Sequence, residues 1–314
     1  MNGHLVSIIT ITYNHEQYIR DTLENILNQK TDFEFELIIA NDCSADKTHE
    51  VISEIIDKDL KGIKIKYFNN KINIGMMQNF LLALKQSKGK YITICEGDDY
   101  WIDPYKLQKQ VDFLEANKEY SICFHPVENF YQDENSPPYI FPDKNRWKQT
   151  YPIEELINDN LMNTCSVLYR WQFYDKPLPD WFSNHYTGDY QLHLLHAYYG
   201  KIGIIPEVMA RYRIHSHGIW SSTKEHNIIG RVKDRISLLQ DYNIYTDKLY
   251  NESINISINK YRLTLIHNYL NKKQKNKAHD IYLANKPYMS IMNKLKFIFH
   301  YYSGGAYSLI RWIK

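Results

Sequence analysis

The sequence predicts an α/β fold: a Rossmann-like, mostly parallel sheet flanked by helices, followed by a helical, basic extension. Three observations carry that expectation. Short apolar, β-branched runs alternate with stretches of helical spacing through residues 1–125. Several of those runs stop on an amide or a carboxylate, as strands do where a parallel sheet meets its ligand. From Lys224 onward the pattern is helical and rich in lysine.

Val6–Thr12 is β-branched and reads as the first strand. Glu16–Gln29 then places Tyr18, Leu23, Ile26 and Leu27 at helical spacing, and Glu36–Ala40 is a short buried strand ending in Asn41-Asp42. Asp46–Lys58 carries Val51, Ile52, Ile55 and Ile56 on one helical face, before a third strand at Ile63–Phe68. Met76–Gln86 is a helix closed by Gly89, and Lys90–Cys95 is a fourth strand. Pro104 opens the next helix, where a missing N–H is tolerated, with Leu107, Val111 and Leu114 inward. The β-α-β-α order requires crossovers that cover both faces of a parallel sheet. Residues 126–152 hold five prolines and read as a long loop. Asn163–Tyr169 and Glu207–Ile214 are further strands around a helix at Asp189–Tyr199.

Bulk composition narrows the function. With 314 residues and 44% hydrophobic content, the chain can bury one large α/β core plus an appendage. Cys43, Cys95, Cys123 and Cys165 are scattered and form no C-x-x-C pair, which argues against a zinc site or disulfide framework and suits a reducing compartment. Neither a signal peptide nor a run of about 18 apolar residues is apparent, so a cytoplasmic location is expected. None of the twelve glycines builds G-x-G-x-x-G, which counts against dinucleotide chemistry. Residues 260–314 hold eleven Lys/Arg against one acid, Asp280, which suggests an anionic partner.

The densest chemistry lies in Tyr91-Ile92-Thr93-Ile94-Cys95-Glu96-Gly97-Asp98-Asp99-Tyr100-Trp101, where a buried strand delivers three carboxylates to its C-terminal end. Carboxylates so close repel one another, and a divalent cation offsets their charge; hard oxygen ligands suit Mg²⁺ or Mn²⁺. Three other patterns precede it in the chain: Thr12-Tyr13-Asn14 and Asn41-Asp42-Cys43-Ser44, both at strand C-terminal ends, and Asn73-Ile74-Gly75-Met76-Met77-Gln78-Asn79. In this order, the four motifs closely resemble the inverting family 2 glycosyltransferases of the GT-A fold, of bacterial surface-polysaccharide type. The resemblance covers roughly residues 4–220.

The resemblance implies transfer of a sugar from a nucleotide-diphosphate donor, UDP-sugar favoured, to a glycan or lipid-linked glycan hydroxyl. It places Thr12, Tyr13 and Asn14 against the nucleotide, Asp42 on the base, and Asn73 in the same donor site. Asp98 and Asp99 match the D-x-D region that holds the metal on the diphosphate, with Glu96 where many members have the first Asp. Gln78 replaces a basic residue common in relatives, which shifts phosphate neutralisation to the metal or Lys71. Asp189 resembles the general base of a later Glu-Asp motif, whose first acid is replaced by Thr187-Gly188. His215 or His217 would complete the metal shell or contact the diphosphate, and Arg213 could contact the diphosphate; Trp101 and Trp220 are either sugar walls or ordinary core or rim aromatics.

The expected organisation is a catalytic domain at 1–223, with a nucleotide-binding half at 1–125 and an acceptor half at 126–223, then a helical region at 224–314. Its basic, aromatic tail suits either the inner face of an anionic membrane or packing on the catalytic domain or on another subunit, as in a homo-oligomer. A sugar nucleotidyltransferase would carry an early Gly-rich phosphate loop, absent after the first strand. A non-catalytic glycan-binding protein would not need Asp42, Asp98, Asp99 and Asp189 together. No nucleic-acid-binding motif accompanies the basic tail.

Overall fold

The computed structural model describes residues 5–58, 62–132, 134–216, 218 and 228–303. His217, Trp220 and the tail residues Leu309, Ile310, Arg311, Trp312 and Lys314 lie outside the described residues. The chain divides into two units, Met1–Ser222 and Thr223–Lys314.

The first unit starts as the periodicity predicts. Strand β1 (Val6–Thr12) leads through α1 (Ile19–Leu27) to β2 (Phe35–Asn41), and α2 (Thr48–Ile56) leads to β3 (Lys64–Asn69). Then α3 (Met76–Lys85) returns the chain to β4 (Tyr91–Ile94), on the opposite side of β1 from β2. All of these pairings are parallel. The order of connection therefore reverses between β1 and β4, the point where such sheets open a cleft beyond their C-terminal ends. β1, β2 and β4 are buried almost throughout, which explains their continuous apolar runs.

Beyond β4 come the two-residue β5 (Tyr100–Trp101), α4 (Lys106–Ala116) and β6 (Tyr120–Phe124). The segment 126–152 is not a loop. It contains β7 (Val127–Tyr131), β8 (Tyr139–Phe141) and β9 (Thr150–Tyr151). Its prolines, Pro126, Pro137, Pro138, Pro142 and Pro152, all fall outside those strands, where no ladder N–H is needed. After α5 (Ile153–Asn158) the chain enters β10 (Leu168–Arg170) beside the end of β6, with Leu168 opposite Cys123. β10 consequently runs antiparallel between β4 and β6. The residues expected to lengthen this strand, Thr164–Ser166, form a single 3₁₀ turn at the cleft edge instead.

Helix α6 (Gly188–Ala197), strand β11 (Lys201–Ile204) and strand β12 (Ala210–Ile214) complete the unit. The main sheet is ordered β3-β2-β1-β4-β10-β6-β11-β9, and a second sheet β5-β12-β7-β8. Trp101 belongs to the core rather than to a sugar wall. It is 1% exposed, and its Nε1 donates to the Cys165 carbonyl at 3.0 Å. The buried Lys106 ammonium sits 4.0 Å from the Trp101 ring centroid and donates to Gln110 Oε1 at 2.7 Å. Burial lowers the Lys106 pKa to about 8.

The second unit is helical, as its pattern predicts: α7 (Ile228–Tyr245), α8 (Asn251–Asn271), α9 (Lys275–Asn285) and α10 (Ile291–Ser303). Leu265, Ile266, Tyr269 and Leu270 of α8 pack with Ala278 and Tyr282 of α9 and with Phe297 of α10. No helix among the described residues is long and apolar enough to cross a membrane.

One buried ion pair fixes the base of the main sheet. Glu36 on β2 accepts from Ser7 Oγ at 2.7 Å and from Lys88 N at 2.9 Å, and pairs with Lys66 Nζ at 2.9 Å. Burial alone would raise the Glu36 pKa, but Ser7, Lys66 and the Lys88 N–H outweigh it, so the value falls below 4.5. Its stabilisation is therefore complete above pH ~4.5 and lost as pH falls through the lower folded-state value. Glu36→Gln should cost roughly 2–3 kcal/mol at pH 7 and flatten the acid limb of stability. Urea unfolding of both proteins between pH 3 and 7 checks this.

Candidate active site

The cleft at the β1–β4 reversal is assembled from the ends of three strands. Ile11, Thr12 and Tyr13 end β1, Asp42 follows β2, and Glu96 and Asp98 follow β4. His15, Asn73, Met76, Asn79, Tyr212, Arg213 and Gly218 complete the lining.

Asp42 sits at the cleft floor with both oxygens engaged. Oδ1 accepts from Asn70 Nδ2 at 3.0 Å and Ile74 N at 2.8 Å, and Oδ2 accepts from Gly75 N at 2.9 Å. It thereby latches the Asn73-Ile74-Gly75 turn against β2. Gly75 takes φ 84°, which only glycine adopts readily, and this aims the start of α3 at the cleft. Asn14 does not line the cleft. Its backbone is left-handed, φ 54°, and its Oδ1 accepts from Ala45 N at 2.8 Å, tying the β1 end to the β2 end. Tyr13 is left 46% exposed at the rim.

The three clustered acids adopt different environments. One oxygen each from Glu96, Asp98 and Asp99 lies within 4.8 Å of the others. Asp98 Oδ2 accepts from His215 Nε2 at 3.1 Å, and His15 Nε2 is 3.7 Å away. Burial would raise the Asp98 pKa, but His15 and His215 hold it below the usual carboxylate range. Burial and the charge of Asp98 push Asp99 and Glu96 well above that range, with Asp99 and Asp189 adding to the effect on Glu96. Asp99 is not part of the lining. It is 1% exposed, and its Oδ1 accepts from Arg213 N at 2.9 Å, which stitches the turn between β4 and β5 to β12. Asp99 Oδ2 is buried without a hydrogen bond; the Cys165 thiol beside it eases the charge without meeting hydrogen-bond geometry.

Arg213 and His15 complete the support. The Arg213 Nε donates to the Asp98 carbonyl at 2.9 Å, its Nη1 to Gln132 Oε1 at 2.5 Å and its Nη2 to Asp21 at 3.4 Å. Its guanidinium stands 4.6 Å from the Tyr18 ring centroid. Arg213 is thus a clamp on the acidic turn. His15 donates its backbone N–H to Thr48 Oγ1 at 2.8 Å, and burial lowers its imidazole pKa. The sequence reading missed His15, although it directly follows Tyr13-Asn14. Exposed Lys71 does not line the cleft.

A second, smaller cavity adjoins the first. Its walls are Ile11, Met76, Met77, Phe80, Ile94, Glu96, Thr164, Tyr186, Gly188 and Asp189. Asp189 lies in the first turn of α6, and its Oδ2 accepts from Thr164 Oγ1 at 3.2 Å. The antiparallel entry of β10 is what brings Thr164 to this edge. A Cβ on Gly188 would lie 3.0 Å from the Phe80 ring, so any larger residue at the position preceding Asp189 requires that ring to shift. Glu96 lines both cavities.

A model of Glycosyl transferase family 2 matches residues 7–174. The chain belongs to that family. An uncharacterized protein of Mycobacterium tuberculosis is 40% identical over 217 residues, covering 69% of this chain; the chain spans 61% of that relative's length. A UDP-Glc:alpha-D-GlcNAc-diphosphoundecaprenol beta-1,3-glucosyltransferase of Escherichia coli is 35% identical over 144 residues, 43% of this chain and 53% of that protein. The solved mannosyltransferase of Pyrobaculum calidifontis, in complex with GDP-Man and Mn²⁺, superposes with a TM-score of 0.58 at 13% identity, over 98% of this chain and 81% of that one. The family 2 chain therefore has the GT-A fold.

Gly97 is tightly enclosed between β1 and His15. A Cβ there would lie 2.6 Å from Thr12 Oγ1 and 2.9 Å from His15 Nδ1. Gly97→Ala should cost about 1–3 kcal/mol and displace the acidic turn. Thermal unfolding and nucleotide titration should both register the change.

Proposed function

We propose that this glycosyltransferase moves a sugar from a nucleoside-diphosphate donor, UDP-sugar favoured, to a hydroxyl of a glycan or lipid-linked glycan in surface-polysaccharide synthesis. The observation that carries the reading is Glu96 on the walls of both cavities. A donor in the larger cavity and an acceptor in the smaller one would meet beside it. The uridine donor and lipid-linked acceptor follow the E. coli relative's name, and that relative shares 35% identity over 144 residues.

In this reading Thr12, Tyr13 and Asn73 receive the nucleoside, while Asp42 holds the turn that carries Asn73. The acidic turn suits a divalent cation, Mn²⁺ or Mg²⁺. Its donors are hard oxygens at metal-bridging separation, and Asp99 Oδ2 is a buried oxygen lacking a hydrogen bond. Glu96 and Asp98 would hold the ion from the cleft wall, with Asp99 behind them. When bound, the ion supplies positive charge that stabilises the departing diphosphate.

The chain's own groups do the rest. His15 and His215 keep Asp98 ionised, and Arg213 fixes the turn's backbone. Asp189, oriented by Thr164, takes the proton of the attacking hydroxyl. With Asp189 as the base, the hydroxyl attacks as the diphosphate leaves, a single displacement that inverts the anomeric carbon. Residues 1–223 would then form the catalytic domain, the donor bound mainly by 1–125 and the acceptor by 126–223.

Asp189→Asn should lower the transfer rate ~10²–10⁴-fold while UDP affinity stays within about twofold. Unchanged transfer would remove Asp189 as base. Calorimetric titration with UDP should lose at least ~10-fold in affinity on replacing Mn²⁺ with EDTA or on Asp98→Asn. Equal affinity in all three states would detach the acidic turn from donor binding.

A further inference from the structure

Helix α10 buries one side and leaves an apolar strip on another. Phe297 is buried and stacks on Tyr282 of α9, with centroids 3.8 Å apart and planes within 7°. On a different face, Ile291, Leu295, Ile298 and Tyr302 recur at four-, three- and four-residue steps, so they align along the helix. Ile291 is 78% exposed, Leu295 56% and Tyr302 79%, with Met292 and Phe299 also exposed on that side. A contiguous strip of this kind differs from the scattered apolar residues of an ordinary surface.

The borders of the strip are basic. One turn per 3.6 residues sets Lys294 along one border and Lys296 along the other. Lys286 stands just before the helix. After Asp280 the sequence contains no acidic residue at all.

We propose that α10 lies in the headgroup layer of an anionic membrane. The strip Ile291, Leu295, Ile298 and Tyr302 faces the acyl chains, and Lys294 and Lys296 reach the phosphates on either side. A second copy docked on the same strip is the rival occupant, and charge argues against it. A symmetric contact would gather Lys294 from both chains, and α10 itself carries no carboxylate. Anionic headgroups meet the lysines directly. Helix length agrees, because no described helix can cross a bilayer and an interfacial helix does not need to. This inference stands apart from the catalytic reading, since none of its residues lines either cavity.

The test is co-sedimentation of the full chain with vesicles of phosphatidylcholine alone and vesicles containing about one-third phosphatidylglycerol. Binding should be at least ~10-fold stronger to the anionic vesicles and weaken with added salt. Leu295→Glu with Ile298→Glu should abolish it, as should Lys294→Glu with Lys296→Glu, both without a change in melting temperature. Equal binding to the two vesicle types, or none, overturns the proposal. So does undiminished binding by the Leu295/Ile298 variant. A wild-type dimer that this variant dissociates, seen by light scattering in the absence of vesicle binding, would give the strip to a second copy instead.

Discussion

The structure depends on keeping three carboxylates together at the end of one buried strand. Glu96, Asp98 and Asp99 lie within one turn, and their mutual repulsion opposes folding of that turn. The protein answers with supports drawn from distant parts of the chain. His15 comes from the end of β1 and His215 from just beyond β12, and both face Asp98. Arg213 grips the turn's backbone from β12, and Thr22 of α1 donates to the Asp99 carbonyl at 2.7 Å. The second sheet gains its purpose here: β5 and β12 pair directly behind the acids and hold them at the cleft.

The same constraint divides labour among residues of one chemical type. Asp42 latches a turn, Asp99 ties the acidic turn to β12, and Asp98 stays charged between two imidazoles. Glu96 faces both cavities, and its carboxyl is pushed toward neutrality by burial and by its acidic neighbours. Asp189 sits across the smaller cavity from it, in the first turn of a helix whose dipole favours negative charge there. Each environment follows from where a strand or helix happens to end, not from the residue type.

Much of this was legible in the sequence because the first strands are buried on both faces. Continuous apolar runs at Val6–Thr12, Glu36–Ala40 and Lys90–Cys95 set the parallel core, and polar residues at their ends mark the cleft. The segment 126–152 misled for a physical reason. Its prolines sit in the connections between short strands, and composition averages over both. Similarly, Trp101 beside the acids gave no sign of its burial, because the Cys165 carbonyl that receives its indole N–H lies far along the chain. His15 escaped notice because an imidazole after a strand end has no periodic signature. Only the fold brings it to Asp98. The engagement of both Asp42 oxygens by the Asn70–Gly75 turn was equally invisible, since it depends on how β3 connects to α3.

The central claim is that the acidic turn after β4 joins a divalent cation to a nucleoside diphosphate in the β1–β4 cleft. Crystals grown with UDP and Mn²⁺, measured at the manganese absorption edge, test it most directly. One anomalous peak should lie about 2.2 Å from an Asp98 carboxylate oxygen, shared with the diphosphate, and the uracil should lie between Tyr13 and the Asn73 turn. UDP bound with no peak at Glu96 or Asp98, or bound away from this cleft, would contradict it.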